Sequence, residues 1–258
     1  MQLTDADVDL FHDRGFVVID RAFSIEEVDL LREAFDEVAR DDHPANVVEK
    51  HTGAIRTAMG LHQRHSAFAK LVRDPRLIGP ATQLARDAEL YAQQVKINVK
   101  AAEVGEAWQW HYDFATHHRE DGVELPLALN LHVFLDDVTG DNGPLQFVRG
   151  SHRLGAHETF LDTETTSYDL WCVSDDVVRP LAEANGIYTA TGSAGSLLLF
   201  GDTLLHASPP NTSPHDRRIF SLILNPVSNA STVDRRHDWQ HHRDFAPIVA
   251  SESASLLG

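Results

Sequence analysis

The sequence has little cysteine and little positive charge. Cys172 is the only cysteine among 258 residues. A lone thiol forms no internal disulfide, so nothing in the chain calls for an oxidising compartment. No apolar run approaches the roughly 18 residues that a membrane-spanning helix needs. The opening MQLTDADVDLFHDRGF lacks the basic start and apolar stretch of a secretory signal. These absences lead us to expect a cytoplasmic protein. Lysine and arginine number 22 against 39 acids, a formal charge of −17. A field of that sign repels phosphate backbones and anionic lipid, which argues against nucleic acid and membrane surfaces as partners. We expect a monomer or a homodimer.

The composition that is present suits a sizeable core: 42% hydrophobic and 24% charged. We expect one domain over 1–258, with a mainly helical part at 1–87 and a β core at 88–230. Thr4 with Asp7 starts a helix that ends near Gly15, and Ser24 with Glu27 forms a capping box. Phe23 and Val28 flank that box as a hydrophobic staple, and Val28, Leu31, Ala34, Phe35 and Val38 follow helical periodicity. Phe16–Ile19 reads as a short buried strand between the two helices. A further helical stretch covers Phe68–Val72 and Leu77–Ala85, interrupted around Pro80.

After Ala88 the pattern changes to period two. In Leu90–Lys100 the residues Val95, Ile97 and Val99 share one face of a strand. Further strands are expected at Trp108–Asp113, Ala128–Leu135, Leu145–Val148, Ser196–Phe200, Thr203–Ala207 and Ile219–Val227. The turn residues Asp141-Asn142-Gly143-Pro144, Arg149-Gly150-Ser151 and Gly201-Asp202 separate them. The acidic, Thr- and Ser-rich segment 156–194 is the least regular and is read as a functional insertion, a candidate lid. Many short strands with regular turns point to a mainly β fold with helical additions, a sandwich or barrel.

The chemistry concentrates in Trp110-His111-Tyr112-Asp113-Phe114 and in Leu205-His206-Ala207-Ser208. On an extended chain His111 and Asp113 point to the same side. With His206 from a distant strand they can occupy one face of an octahedral metal and leave three positions open. Two imidazoles and one carboxylate in this arrangement suit Fe(II) oxygenases. Among 16 histidines an isolated H-x-D is weak evidence; the context after His206 strengthens it. The Pro- and Asn-rich stretch 209–216 connects that strand to the next, so Arg217 enters beside the metal. A guanidinium there can grip a carboxylate bidentately, and 2-oxoglutarate, chelating iron through its keto acid, needs such a cation at its far end. Ser208 adds a hydroxyl. The bland alternative is that Arg217 and Arg218 form a solvated basic pair.

These motifs, with the opening helix–strand–helix, Gln94-Val95-Lys96-Ile97-Asn98, Asp141-Asn142-Gly143-Pro144-Leu145 and Gly150-Ser151-His152, resemble the phytanoyl-CoA dioxygenase superfamily over most of the chain. Within it the chain is similar to ectoine hydroxylases and to free amino-acid hydroxylases of the leucine type. The resemblance implies a double-stranded β-helix (jelly-roll, cupin-like) core. It implies His111, Asp113 and His206 as iron ligands, and Arg217 and Ser208 at the C5 carboxylate of 2-oxoglutarate. Asn98, with Gln94 or Asn130, would lie near the rest of that molecule. Fe(II), 2-oxoglutarate and dioxygen are then the cofactors, succinate and carbon dioxide the co-products, and a small polar, amino-acid-like molecule the substrate. Where ectoine hydroxylases carry a tryptophan four residues past the aspartate, this chain has His117, a departure that puts ectoine in doubt. Asp113 argues for hydroxylation over halogenation, since related halogenases have a small residue there.

Lys96, Trp110 and His117 are the candidates for the substrate side. Against these, Lys96 also reads as a snorkelling surface lysine, and Trp108 and Trp110 as core or pocket wall. Adjacent histidines on a strand diverge, so His117-His118 and His241-His242 read as surface or supporting residues. His152 reads as structural or pocket-lining, and Cys172 as inert. Two other readings stay open: a tailoring oxygenase acting on a larger or carrier-bound molecule, and a metal-dependent hydrolase using the same triad.

Overall fold

The computed structural model describes residues 1–85 and 89–257, so Ala88, the expected boundary at 87/88 and Gly258 lie outside the described residues. Helix α1 (Asp5–Arg14) starts on Thr4 through a capping box with Asp7 and ends at Gly15, whose φ of 88° only glycine adopts without strain. Strand β1 (Phe16–Ile19) follows, then α2 (Ile25–Ala39), with the Ser24–Glu27 box in place. Burial tends to raise the Glu27 carboxyl, but Arg76 and the Ser24 and Leu256 amides hold it down at about 2.

Strands β2 (Asn46–Val48) and β3 (Ile55–Met59) were not expected from the sequence. Helices α3 (Leu61–Arg64), α4 (Ser66–Leu71) and α5 (Pro75–Leu84) follow. Pro80 lies inside α5 without interrupting it. Buried Leu77, Ile78 and Leu84 each contribute roughly 1.5–3 kcal/mol, enough to outweigh one missing N–H.

The β region runs β4 (Leu90–Lys100), β5 (Trp108–His111), α6 (Asp113–Arg119), β6 (Leu129–Phe134), β7 (Leu145–Val148), β8 (Phe160–Asp162), β9 (Leu170–Cys172), α7 (Asp175–Asn185), β10 (Ile187–Ala190), β11 (Leu197–Gly201), β12 (His206–Ser208) and β13 (Arg217–Pro226). Three expectations need correction. The strand expected over Trp108–Asp113 stops at His111, and Asp113 opens α6. The strand expected from Thr203 begins only at His206, after a turn. The segment 156–194 is not irregular throughout, since it holds β8, β9, α7 and β10. Pro180 and the acidic start of α7 mask its apolar face of Val177, Val178, Leu181 and Ala182.

A seven-stranded sheet (β1-β11-β6-β13-β4-β3-β2) and a four-stranded sheet (β10-β7-β12-β5) carry the fold, and their paired strands are all antiparallel. The N-terminal strands β1, β2 and β3 thus complete the large sheet. One face of that sheet packs on α2, α4 and α5 through Val95, Ile97, Leu131, Val133, Leu199 and Leu222. The other face packs on the small sheet through Phe134, Phe147, Leu198, Phe200 and Ile219. The jelly-roll core expected from the sequence is present, with α7 covering the outer face of the small sheet.

Candidate active site

The pocket opens between the two sheets, and strand periodicity decides what faces it. On β4 the residues Val95, Ile97 and Val99 enter the helical layer, so Gln94, Lys96 and Asn98 face inward. On β6 the same alternation presents Asn130 and His132, and on β13 Arg217 and Ile219. Strand β12 contributes His206 and Ser208, and β5 contributes His111.

His206 and His111 are direct partners across the small sheet. Tyr112 stays extended (φ −132°, ψ 140°) before α6 begins, so Asp113 turns back beside His111 although it is helical. His111 Nε2 lies 4.0 Å from Asp113 Oδ1, and His206 Nε2 lies 3.9 Å from Asp113 Oδ2. One ligating atom from each of the three residues falls within 4.8 Å of the others. Each imidazole is oriented from behind: His111 Nδ1–H donates to Gln109 O (2.6 Å) and His206 Nδ1–H to Leu204 O (2.9 Å). Both Nε2 atoms are therefore the free ligand positions. Burial, with His206 beside it, pushes His111 down to about 3, which keeps it in the neutral form that a metal takes. Asn130 Nδ2 donates to Asp113 Oδ2 (3.0 Å). Asn130 thus steadies the carboxylate and still lines the pocket. Two neutral imidazoles and a carboxylate, facially disposed, fit Fe(II).

At the other end of the pocket Arg217 is 2% exposed. Its Nη2 donates to Gly143 O (2.8 Å) and meets Ser208 Oγ at 3.4 Å, while its Nε has no partner among the described residues. Ser208 Oγ donates to the same Gly143 carbonyl at 2.8 Å. Burial pushes the guanidinium down to about 9. Arg218, one residue on, faces the opposite way and forks onto Asp136 at 2.9 Å twice. The solvated basic pair is therefore not formed; alternation on β13 separates the two arginines. Beneath them Lys100, buried, donates to the carbonyls of Glu106, Ser208 and Pro209 at 2.6, 3.2 and 2.5 Å and ties the end of β12 down.

The remaining expected residues divide. Gln94 lines the pocket and donates to Gln240 O at 2.7 Å, and Asn98 accepts from Thr57 Oγ1 at 3.2 Å. Lys96 lines the pocket as well, and burial lowers its pKa, so the surface-lysine reading fails. His117 lines it from α6, a helix rather than a strand, and its Nδ1 lies 3.0 Å from Asp202 Oδ1. Trp110 is a correction: it packs outward with Val148, Val173 and Val178 and lines a surface groove beside α7. Trp108 lines the pocket instead, under Arg56 at 3.8 Å. The partner strand counts two residues from His206 to Ser208 where β5 counts three from His111 to Trp108, and this extra residue resets the phase. His152 is structural, its Nε2 on His12 O, and Cys172 is buried with its thiol pushed up to about 12.

Several lining residues went unrecognised in the sequence, among them His132, Met59, Tyr168 and Arg236. His132 was within reach, being two residues past Asn130 on one face. Tyr168 comes from the 156–194 segment and Arg236 from the tail after β13, where Asp121 fixes its guanidinium (Nε to Oδ1, 2.6 Å). No local pattern announces either.

Comparison with known proteins agrees with this geometry. The family model of phytanoyl-CoA dioxygenase (PhyH) matches residues 11–219. L-proline trans-4-hydroxylase of Streptomyces griseoviridis is 34% identical over 98% of this chain and 98% of its own. Ectoine dioxygenase of Streptomyces anulatus is 33% identical over 92% of this chain and 84% of its own. The crystal structure of EctD from S. alaskensis with 2-oxoglutarate and 5-hydroxyectoine superposes with a TM-score of 0.87 at 29% identity, covering 99% of this chain and 89% of that one. On the strength of the matched span, the shared length and the common fold, the chain belongs to the phytanoyl-CoA dioxygenase family.

Proposed function

We propose that this protein is an Fe(II)- and 2-oxoglutarate-dependent dioxygenase that hydroxylates an unactivated C–H bond of a small free amino acid. The observation that carries the reading is the placement of the His111–Asp113–His206 triad and the buried, half-satisfied Arg217 at two ends of one pocket. Ser208 stands two residues beyond His206 on one strand, roughly 6–7 Å along it, a distance that a five-carbon diacid spans. The iron, when bound, supplies dioxygen activation coupled to oxidative decarboxylation of 2-oxoglutarate to succinate and carbon dioxide.

The chain's own residues do the rest. Arg217 and Ser208 receive the C5 carboxylate, replacing water with a charge-assisted pair in a dry site. Asn130 keeps Asp113 oriented. Arg236, fixed by Asp121, and Lys96 supply the positive charge that a substrate carboxylate requires. A free carboxylate favours a free amino acid over one esterified to a carrier. Trp108, Tyr168 and Leu170 wall the pocket against water, two of them from the 156–194 segment.

The test is succinate formation by purified protein with each common amino acid, L-proline included, alongside a gain of one oxygen in the amino acid by mass spectrometry. Dependence on both Fe(II) and 2-oxoglutarate is expected. Turnover with zinc and no 2-oxoglutarate would favour the hydrolase reading instead.

A further inference from the structure

A free amino acid brings an ammonium as well as a carboxylate, and the pocket lining is poor in anything to receive it. Among the described lining residues Lys96, Arg217 and Arg236 are cationic, and the only acid is Asp113, which belongs to the metal triad. The second negative charge in reach is one step behind the wall. Asp202, on the turn between β11 and β12, is 2% exposed, and among the described residues its carboxylate has no partner other than His117, whose Nδ1 lies 3.0 Å from Oδ1. A carboxylate taken so far out of water is costly unless its charge is used.

We propose that His117 and Asp202 form the amine-recognition element of this enzyme: Asp202 accepts a hydrogen bond from His117 Nδ1–H, and the imidazole Nε2 accepts a hydrogen bond from the substrate ammonium. This rests on the amino-acid reading above and sharpens it, because the substrate must then carry a free primary or secondary amine. The geometry supports it in three ways. His117 follows Asp113 by one helical turn on α6, so amine site and metal site share a rigid element. Its Nδ1 lies 3.0 Å from Asp202 Oδ1, which favours the tautomer protonated there and leaves Nε2 for the pocket. Burial opposes the charged imidazole, but Asp202 draws His117 toward it; an ammonium at Nε2 takes that proton's place, and the neutral imidazole with the carboxylate then supplies one net negative charge, which Gln94, Asn98 and Thr116, also lining the pocket, cannot do. In this scheme His117 touches substrate, and Asp202 is a positioning residue that acts through it. Asp113, Asp121 and His241 also face His117 and set the surrounding field.

The experiment compares the best-turned-over amino acid with its analogue lacking the amine; for L-proline this is tetrahydrofuran-2-carboxylate. The measurements are kcat and KM in the wild type, His117→Leu, His117→Gln and Asp202→Asn, with binding of each compound to Mn(II)-loaded protein as a readout independent of turnover. Loss of a hydrogen bond to a charged group predicts that the wild type prefers the amine by about 10- to 100-fold. His117→Leu should erase most of that preference through KM, and His117→Gln, which keeps an acceptor, should restore part of it. Asp202→Asn should weaken it with the fold intact by circular dichroism. A wild type that takes the deaminated analogue equally well overturns the proposal, as do variants that lose stability yet keep the preference. Failure of every amino acid to elicit succinate overturns the amino-acid reading itself, and this inference with it.

Discussion

Arg217→Met removes a buried, pocket-lining cation at the Ser208 end that has no carboxylate partner among the described residues. Arg217 is 2% exposed, and its contacts are neutral oxygens of Gly143 and Ser208. The nearby acid, Asp136, is occupied by Arg218. Truncating one side of a buried charge pair costs about 2–5 kcal/mol, so the dissociation constant for 2-oxoglutarate should rise about 30- to 3,000-fold, at 1.4 kcal/mol per decade. The assay is calorimetric titration of Mn(II)-loaded protein, followed by succinate kinetics. KM for 2-oxoglutarate should carry most of the loss and kcat at saturation little, because the contact is made equally in ground and transition states. Stability should respond with the opposite sign. A guanidinium lacking a counter-ion is itself a burden, so without ligand the methionine variant should unfold within about 1 kcal/mol of the wild type or above it. The wild type should gain about 2.7 kcal/mol from 2-oxoglutarate at 100 times its dissociation constant, and the variant about 0.9 kcal/mol or less at that concentration. Undiminished 2-oxoglutarate binding, or a variant several kcal/mol less stable without ligand, would refute the reasoning.

His206→Ala leaves two ligands for the metal and should abolish 2-oxoglutarate-dependent turnover and weaken Fe(II) binding by at least about tenfold, measured by competition with a chelating dye. Gly143→Ala places a Cβ at φ +77°, 2.5 Å from Lys100 Cδ and 2.9 Å from Pro209 O, so the carbonyl shared by Arg217 and Ser208 must move. A loss of roughly 1–3 kcal/mol in denaturant unfolding with a raised KM for 2-oxoglutarate is expected, and an unchanged KM would count against the shared-carbonyl account. Glu27, held at about 2 by Arg76 and backbone amides, contributes stability that is complete above pH 4.5 and drains away as pH falls toward 2. Glu27→Gln should cost about 3 kcal/mol at neutral pH and flatten the unfolding profile across that acid window.

The parts of the site governed by period two were legible before any coordinates. The face of β4 bearing Gln94, Lys96 and Asn98 and the shared side of His206 and Ser208 follow from side chains alternating along a strand, whereas the H-x-D pair converges because extended Tyr112 precedes the helix that Asp113 opens. Trp110 was legible but misread: as the neighbour of His111 it had to face away, and its fellow Trp108 returned to the pocket only through the extra residue in β5. Other parts depend on long-range placement that no local pattern encodes. Arg236 arrives from the tail, Tyr168 from the 156–194 segment, and Asp202 meets His117 across 85 positions of chain (202 − 117). The helix α7 was hidden for a different reason: Pro180 and paired aspartates read as loop, although tertiary burial of Val178 holds the helix together.

The opposite sides of β4 and β6 divide the labour cleanly. Their odd-numbered residues Val95, Ile97, Val99, Leu131 and Val133 anchor the helical layer, while their even-numbered neighbours meet whatever occupies the cavity. From Gln94 to Val99 and from Asn130 to Val133 parity therefore separates foldability from selectivity, and before Gln94 a register shift in β4 reverses it, so that Leu90 and Ala92 join the helical layer. Lys96 and His132 can be varied to explore new substrates at small risk to the core, whereas deletion of a single residue would exchange the two faces and forfeit both.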